Sequence, residues 1–146
     1  MGSWNLTPGL NHVGAYQVSG QPFASGSIDA KLGSRPGGFE VAFPYVTRWF
    51  KVINKDNTND CKVAFSLSGM TGSNNYFTVS ARSGSAADLL PGAGLIGDSG
   101  VLELKVSAIW ISGSTNVDVV AGLTKIGVGS TNTSTGANWS GSSGVG

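Results

Sequence analysis

Catalysis and metal binding are ordinarily built from histidine, cysteine and carboxylates, and this 146-residue chain has one histidine, one cysteine and eight acids. Any Ser-His-Asp or Cys-His arrangement would have to use His12, which stands at the start of an expected strand. No G-x-S-x-G elbow accompanies it. Cys61 cannot form an internal disulfide, and its neighbour Lys62 points to the opposite face of a strand. It reads as a small hydrophobe at a strand start rather than a reactive thiol. In "DNTND", Asp56, Thr58 and Asp60 fall at i, i+2 and i+4, an echo of the first ligands of a calcium loop. The later ligands are missing and these residues are common turn formers, so a turn is expected and no metal site. Glycoside hydrolysis needs two acids in one cleft. Glu103 and Asp118 flank the last turn, yet both are expected to face water. "PGAGLIGDSG" has the glycines of a phosphate loop without its lysine. No catalytic, cofactor-binding or metal-binding residue is assigned, and a non-enzymatic protein is expected.

Aromatic residues leave a different possibility. Trp49, Trp110, Tyr45 and Tyr76 could form a sugar-binding platform. Trp49 and Trp110 sit off the main inward parity of their strands. The competing expectation is burial in the core or in an interface between subunits. Trp4, Leu6 and Leu10 lie in a polar arm, and Trp139 stands alone in a polar tail. The arm residues need something to cover them, and Trp139 is either a docking anchor or a residue with no such role.

Composition narrows the partners. Charged residues make up 12% of the chain, about half the usual share. The net charge is +1, and the basic residues are scattered from Lys31 to Lys125, so no nucleic-acid or acidic-lipid surface is expected. No apolar run reaches membrane-spanning length. The first residues lack the basic and apolar regions of a secretory signal. Leu6 stands where a myristoylation pattern wants Ser or Thr. A surface poor in charge suits a protein packed among partners.

The elements that position these residues follow from alternation and turns. Residues 1–11 are expected as an extended arm, 12–126 as one β-sandwich domain and 127–146 as a low-complexity tail with no core of its own. Strands are expected at 12–20 and 21–30. A further strand should place Phe39, Val41, Phe43 and Tyr45 on one face and break near Pro44. In 46–54, Val46, Arg48, Phe50 and Val52 share one parity, and the other parity is also partly apolar, so coverage on both sides is expected. Residues 61–69 should turn Val63, Phe65 and Leu67 inward, followed by a turn at "MTGSNN". Phe77 and Val79 share a face in 76–81. Residues 82–100 read as a long loop packed by Leu89, Leu90, Leu95 and Ile96, with room for one helical turn at 85–90. In "VLELKVSAIWIS" the apolar parity shifts from Leu102, Leu104 and Val106 to Ile109 and Ile111, which suggests a β-bulge at Ala108 or, alternatively, a strand whose outer half is also covered. After the turn at 113–116, Val117, Val119, Ala121 and Leu123 share a face. Eight or so strands with frequent turn signals and 23 glycines indicate an all-β, antiparallel eight-stranded sandwich. A jelly roll is favoured over an immunoglobulin-like sandwich, which has no Cys-Trp-Cys framework here.

The segments "FEVAFPYVTRWFKVINKDNTNDCKVAFSLSGM", "NNYFTVSA" and "LELKVSAIWISGSTNVDVVAGLTKI" resemble small single jelly-roll virion proteins. These are the minor capsid, vertex or penton, and decoration proteins of double-stranded DNA viruses and phages. The resemblance spans residues 12 to 126 and rests on strand rhythm, Asn-Asp-Gly-Ser turns and Gly/Ser/Thr-rich ends. It implies a non-enzymatic subunit located in the virion, at the capsid surface or a vertex. Its partners would be itself, as a trimer or pentamer, and other capsid proteins. It also implies that Trp4 to Leu10 and the tail around Trp139 link neighbouring subunits. The chain is short for a major capsid protein, which points to a minor role. The alternative is a carbohydrate-binding module or a receptor-binding fibre tip, with a glycan as partner.

Overall fold

A computed structural model describes residues 9–11, 13–14, 20–31, 37–72, 74–82 and 97–146. The expected strand at 12–20, the helical turn at 85–90 and the loop leucines before Gly97 lie outside the described residues, apart from Val13, Gly14 and Gly20. Strands form where the alternation is cleanest. They are β1 (Gln21–Ile28), β2 (Phe39–Ala42), β3 (Thr47–Asn54), β4 (Cys61–Ala64), β5 (Tyr76–Val79), β6 (Gly97–Asp98), β7 (Ala108–Ser112) and β8 (Val117–Leu123). They pair into two antiparallel four-stranded sheets, ordered β1-β8-β3-β6 and β2-β7-β4-β5. The chain is therefore an all-β sandwich, with strand 1 paired to 8, 2 to 7, 3 to 6 and 4 to 5.

The inward parities are those of the sequence pattern. Val117, Val119, Ala121 and Leu123 of β8 are all buried, as are Phe50 and Val52 of β3, Val63 of β4 and Ile109 and Ile111 of β7. Five phenylalanines thread through this core. Ring centroids are 5.0 Å apart for Phe23–Phe43, 6.4 Å for Phe43–Phe50, 6.3 Å for Phe50–Phe65 and 6.2 Å for Phe65–Phe77. Edge-on and tilted contacts at these separations suit the ring quadrupoles. Phe50 is central to the run, is fully buried and belongs to one sheet, whereas Phe77 belongs to the other.

Several expectations need correction. The strand starting at Cys61 stops at Ala64, and Leu67 is 46% exposed rather than inward. A short helix, α1 (Leu67–Thr71), follows instead, taking Met70 and Thr71 out of the expected turn. Ser66 caps it by accepting the Gly69 N–H at 2.9 Å, and the Phe65 carbonyl is taken by Asn138 Nδ2 at 2.8 Å rather than by a strand. Arg48 does not share the inward face of Phe50. A register shift between Thr47 and Trp49 places it at a bulge and turns Thr47 inward.

The parity change in 101–112 is not a bulge at Ala108, which pairs in register with Ala42. It is a change of sheet. Leu102 bridges Phe50 of β3, and the Val106 carbonyl accepts the Thr47 N–H at 2.9 Å, before the chain enters β7 in the other sheet. Leu104, expected inward with Leu102 and Val106, is 40% exposed. Only its carbonyl points in, accepting the Thr47 hydroxyl at 2.6 Å.

Residues 127–146 lie against the sandwich. A 3₁₀ turn spans Val128–Thr131, and Thr131 and Asn138 are fully buried. The Asn138 Oδ1 accepts the Ser107 N–H at 2.8 Å, and its amide donates to the carbonyls of Phe65 and Ala108. Asn138 and Trp139 both have left-handed backbones, φ 55° and 67°. Asn tolerates this conformation, whereas Trp rarely adopts it. The Trp139 N–H bonded to Thr131 and its indole N–H donating to Lys105 at 3.0 Å hold it there.

Replacing Asn138 with Ala leaves one buried donor and two acceptors short of their partner. Since each such group costs about 1–3 kcal/mol, Asn138→Ala should destabilise the protein by about 2–4 kcal/mol in urea unfolding. A loss within about 0.5 kcal/mol, the usual effect at an indifferent surface site, would mean that this segment is not integral to the fold.

Candidate functional site

Among the described residues, Asp56, Asp60 and Cys61 are engaged in the scaffold. Asp56 Oδ1 accepts the Thr58 N–H at 2.9 Å, the Thr58 hydroxyl at 3.1 Å and the Asn59 N–H at 3.1 Å. Its Oδ2 accepts the Asn59 amide at 3.0 Å, and the Thr115 N–H at 2.9 Å and hydroxyl at 2.7 Å. The loop before β4 is thereby tied to the β7–β8 turn. These donors, the Thr115 and Thr58 backbone N–H groups foremost, hold the Asp56 carboxyl well below the usual carboxylate range despite its burial. Asp60 accepts the Ala81 N–H at 2.7 Å. The expected turn is thus a hydrogen-bonded corner. Among the described residues no group of three or more His, Cys, Asp or Glu could hold a metal ion.

Glu103 lies 3.7 Å from Arg48, and Asp118 lies 3.0 Å from Lys55. Asp118 also stands opposite Ile53, so the two acids sit toward opposite ends of β3, about 16 Å apart along a strand. They do not form an acid pair. Cys61 is fully buried, and that burial pushes its thiol up to about 12. His12 lies outside the described residues.

The aromatic candidates are not brought together. Trp49 is on the outer face of the β1-β8-β3-β6 sheet, because its neighbours Phe50 and Val52 alternate inward. Trp110 is on the outer face of the other sheet, between inward Ile109 and Ile111. The two tryptophans therefore stand on opposite sides of the sandwich. Trp110, Ala64 and Tyr76 form a row across three strands, but α1 lies against β4 and β7, and the Lys62 ammonium stands 4.7 Å from the Tyr76 ring centroid. Tyr45 packs against the core with Lys125 5.7 Å from its ring. Trp4 and Leu6 lie outside the described residues. Leu10 accepts a hydrogen bond from Lys105 Nζ at 2.9 Å through its carbonyl.

A surface does emerge around Trp49. Register places three rows on this outer face: Pro22–Gly122–Trp49, Ala24–Val120–Lys51, and Asp118–Ile53–Asp98. Pro22 and Ala24 are exposed, and Trp49, Val120 and Ile53 are half-buried. The charges on this face are paired, Lys51 with Asp98 at 2.7 Å and Lys55 with Asp118 at 3.0 Å. An open antiparallel face ordinarily alternates to polar residues. This one keeps Pro22, Ala24, Val120 and Trp49 side by side, with Lys51 between Trp49 and Ile53 and with Ile53 flanked by Asp118 and Asp98. Sequence reading identified Trp49 and the two-sided apolar character of β3. It missed Val120, Ala24 and Pro22, whose place beside Trp49 depends on strand pairing.

No family model matches the chain, and neither curated proteins nor solved structures give a match.

Two predictions follow the buried groups. Asp56 has a depressed folded-state pKa, so its stabilisation is complete above about pH 4, the unfolded carboxyl value, and declines as pH falls below it. Asp56→Asn should lower the melting temperature at pH 7, and its gap to the parent should narrow from pH 4 downward. A gap constant with pH would contradict the hydrogen-bond origin. The Cys61 thiol should react with a thiol reagent only as fast as the protein opens, and labelling within seconds under native conditions would contradict its burial.

Proposed function

We propose that the protein is a non-enzymatic structural subunit of a virus particle, assembling as a homo-oligomer at the capsid surface or a vertex. The observation that carries this reading is the outer face of the β1-β8-β3-β6 sheet. Trp49, Val120, Ala24 and Pro22 adjoin one another there, and the neighbouring charges are already paired, Lys51 with Asp98 and Lys55 with Asp118, which favours a covering partner. The proposed partner is a second copy of the chain that presents a different surface to this face, since a closed ring of three or five subunits is built from head-to-tail contacts.

Placement in a virion rests on two lines. One is the resemblance in strand rhythm and turn composition. The other is topology. Antiparallel pairs 1·8, 2·7, 3·6 and 4·5, distributed over two sheets, are what a folded ribbon of two interlocked Greek keys produces, and this supports a jelly roll. Jelly rolls build viral capsids and also lectins, so the fold alone does not choose between them. The separation of Trp49 from Trp110 and the Lys62 ammonium over Tyr76 favour the structural reading over a shared sugar platform.

Light scattering on the full chain should give the mass of a trimer or pentamer. Trp49→Ser with Val120→Glu should reduce it to a monomer while leaving the melting temperature within a few degrees. Glu at 120 would stand opposite Lys51 in the ladder, so the free subunit should tolerate it. A parent that stays monomeric at high concentration, or a variant that keeps the parent mass and fold, would count against the proposal.

A further inference from the structure

Where β5 begins, a cleft of about 320 Å³ opens, lined by Phe65, Asn74, Asn75, Tyr76, Phe77 and Gly144. Three of these residues are half-buried aromatics, two are asparagines, and none carries a charge. The rings are held in place. Phe65 and Phe77 lie tilted against each other with 6.2 Å between centroids. The Lys62 ammonium stands 4.7 Å from the Tyr76 centroid and steadies that ring without itself lining the cleft. The backbone is held as well. A Cβ on Gly69 would run into the Val145 carbonyl oxygen and come within 3.0 Å of the Asn75 carbonyl oxygen. Both walls therefore press against α1. The Ser66 hydroxyl donates to the Val145 carbonyl at 2.7 Å, and the Val145 N–H donates to the Ser142 carbonyl at 3.0 Å. Two segments distant in sequence thus meet in one fixed geometry, and a ligand need not order them.

The lining selects a class of ligand. A carboxamide offers both donors and an acceptor, and an aromatic ring offers a broad apolar surface. A molecule that suits both has hydroxyl groups around its edge and C–H groups on its face. A charged ligand would find no counter-charge among the lining residues. A wholly apolar one would take water from Asn74 and Asn75 without replacing its hydrogen bonds. A pyranose meets each condition, because every hydroxyl both donates and accepts while the ring carries an apolar face. The volume lies at the small end of ligand pockets, which suits one or two sugar residues.

We propose that this cleft binds a neutral saccharide, its hydroxyls bonded to Asn74 and Asn75 and its C–H face packed on the aromatic wall. The cleft joins Tyr76 to two phenylalanines and to neither tryptophan, so it is not a platform shared with Trp49 or Trp110. Its lining includes no residue of the Trp49 face, and binding does not depend on assembly.

The test is a titration of the ¹⁵N-labelled full chain with glucose, galactose, mannose and N-acetylglucosamine, read by amide chemical shifts. At least one sugar should shift residues 74–77 and 144 saturably, with a Kd on the order of 1 mM for so small and open a site. Asn74→Ala should weaken that binding about fivefold, and Tyr76→Ala about tenfold. Asn74 is exposed, so its replacement should leave the melting temperature unchanged and keep the test valid even where Tyr76→Ala unfolds the chain. No saturable shift with any of the four sugars, shifts that map elsewhere, or an Asn74→Ala variant that binds as the parent does would overturn the proposal. So would equal affinity for cyclohexanol, which has the ring and a single hydroxyl, or tighter binding of N-acetylneuraminic acid, which would assign recognition to the Lys62 charge. A monomeric parent in light scattering would defeat the assembly reading and leave this one standing.

Discussion

The run of five phenylalanines from Phe23 to Phe77 is the contact on which the rest of the molecule depends. It crosses from one sheet to the other through Phe50, which is fully buried. Two four-stranded sheets of short strands have little backbone with which to hold each other, since ladder hydrogen bonds act within sheets and not between them. What joins them is apolar area, at about 25 cal/mol per Å² removed from water, together with the ring geometry that fixes their separation. β8 supplies the facing surface in small residues, Val117, Val119, Ala121 and Leu123, and this leaves room for the aromatic run.

Polar side chains close this core at two places. Near one end of β3, Asn54 and Asp56 draw in the β7–β8 turn: Ser114 donates to Asn54 Oδ1 at 2.7 Å, and Thr115 donates to Asp56 Oδ2. Near the other, Thr47, Thr124 and Asn138 satisfy the backbone where the chain changes sheet. The Thr124 hydroxyl donates to the Val46 carbonyl at 2.7 Å, and Asn138 reaches Ser107, Ala108 and Phe65. A buried polar group without partners is costly. Each closure therefore specifies one arrangement of loops as well as stabilising it, and each leaves chemistry-capable residues occupied in structure.

What could be read from the sequence divides along the same line. The inward parity of β8, the break near Pro44 and the corner at Asp56 were legible because they depend on residues a few positions apart. The sheet change after Val106 was not, because the same loss of parity arises from a bulge, and only the pairing of Leu102 with Phe50 distinguishes them. Leu67 continued an apolar alternation, but strand β4 ends where Asn138, more than seventy residues on, takes the Phe65 carbonyl. Trp49 was legible as an off-parity aromatic. Its neighbours Val120, Ala24 and Pro22 were not, since they come from β8 and β1 and meet it only through register.

The proposed assembly covers the outer face of the β1-β8-β3-β6 sheet, where Trp49, Val120, Ala24 and Pro22 stand together, with a copy of the chain. The most direct test is hydroxyl-radical footprinting of the full chain across a dilution series. Assembly through this face requires Trp49 and Ile53 to be protected at high concentration and oxidised on dilution, while exposed Leu67 reacts equally throughout. Equal reactivity of Trp49 and Ile53 at every concentration would contradict it.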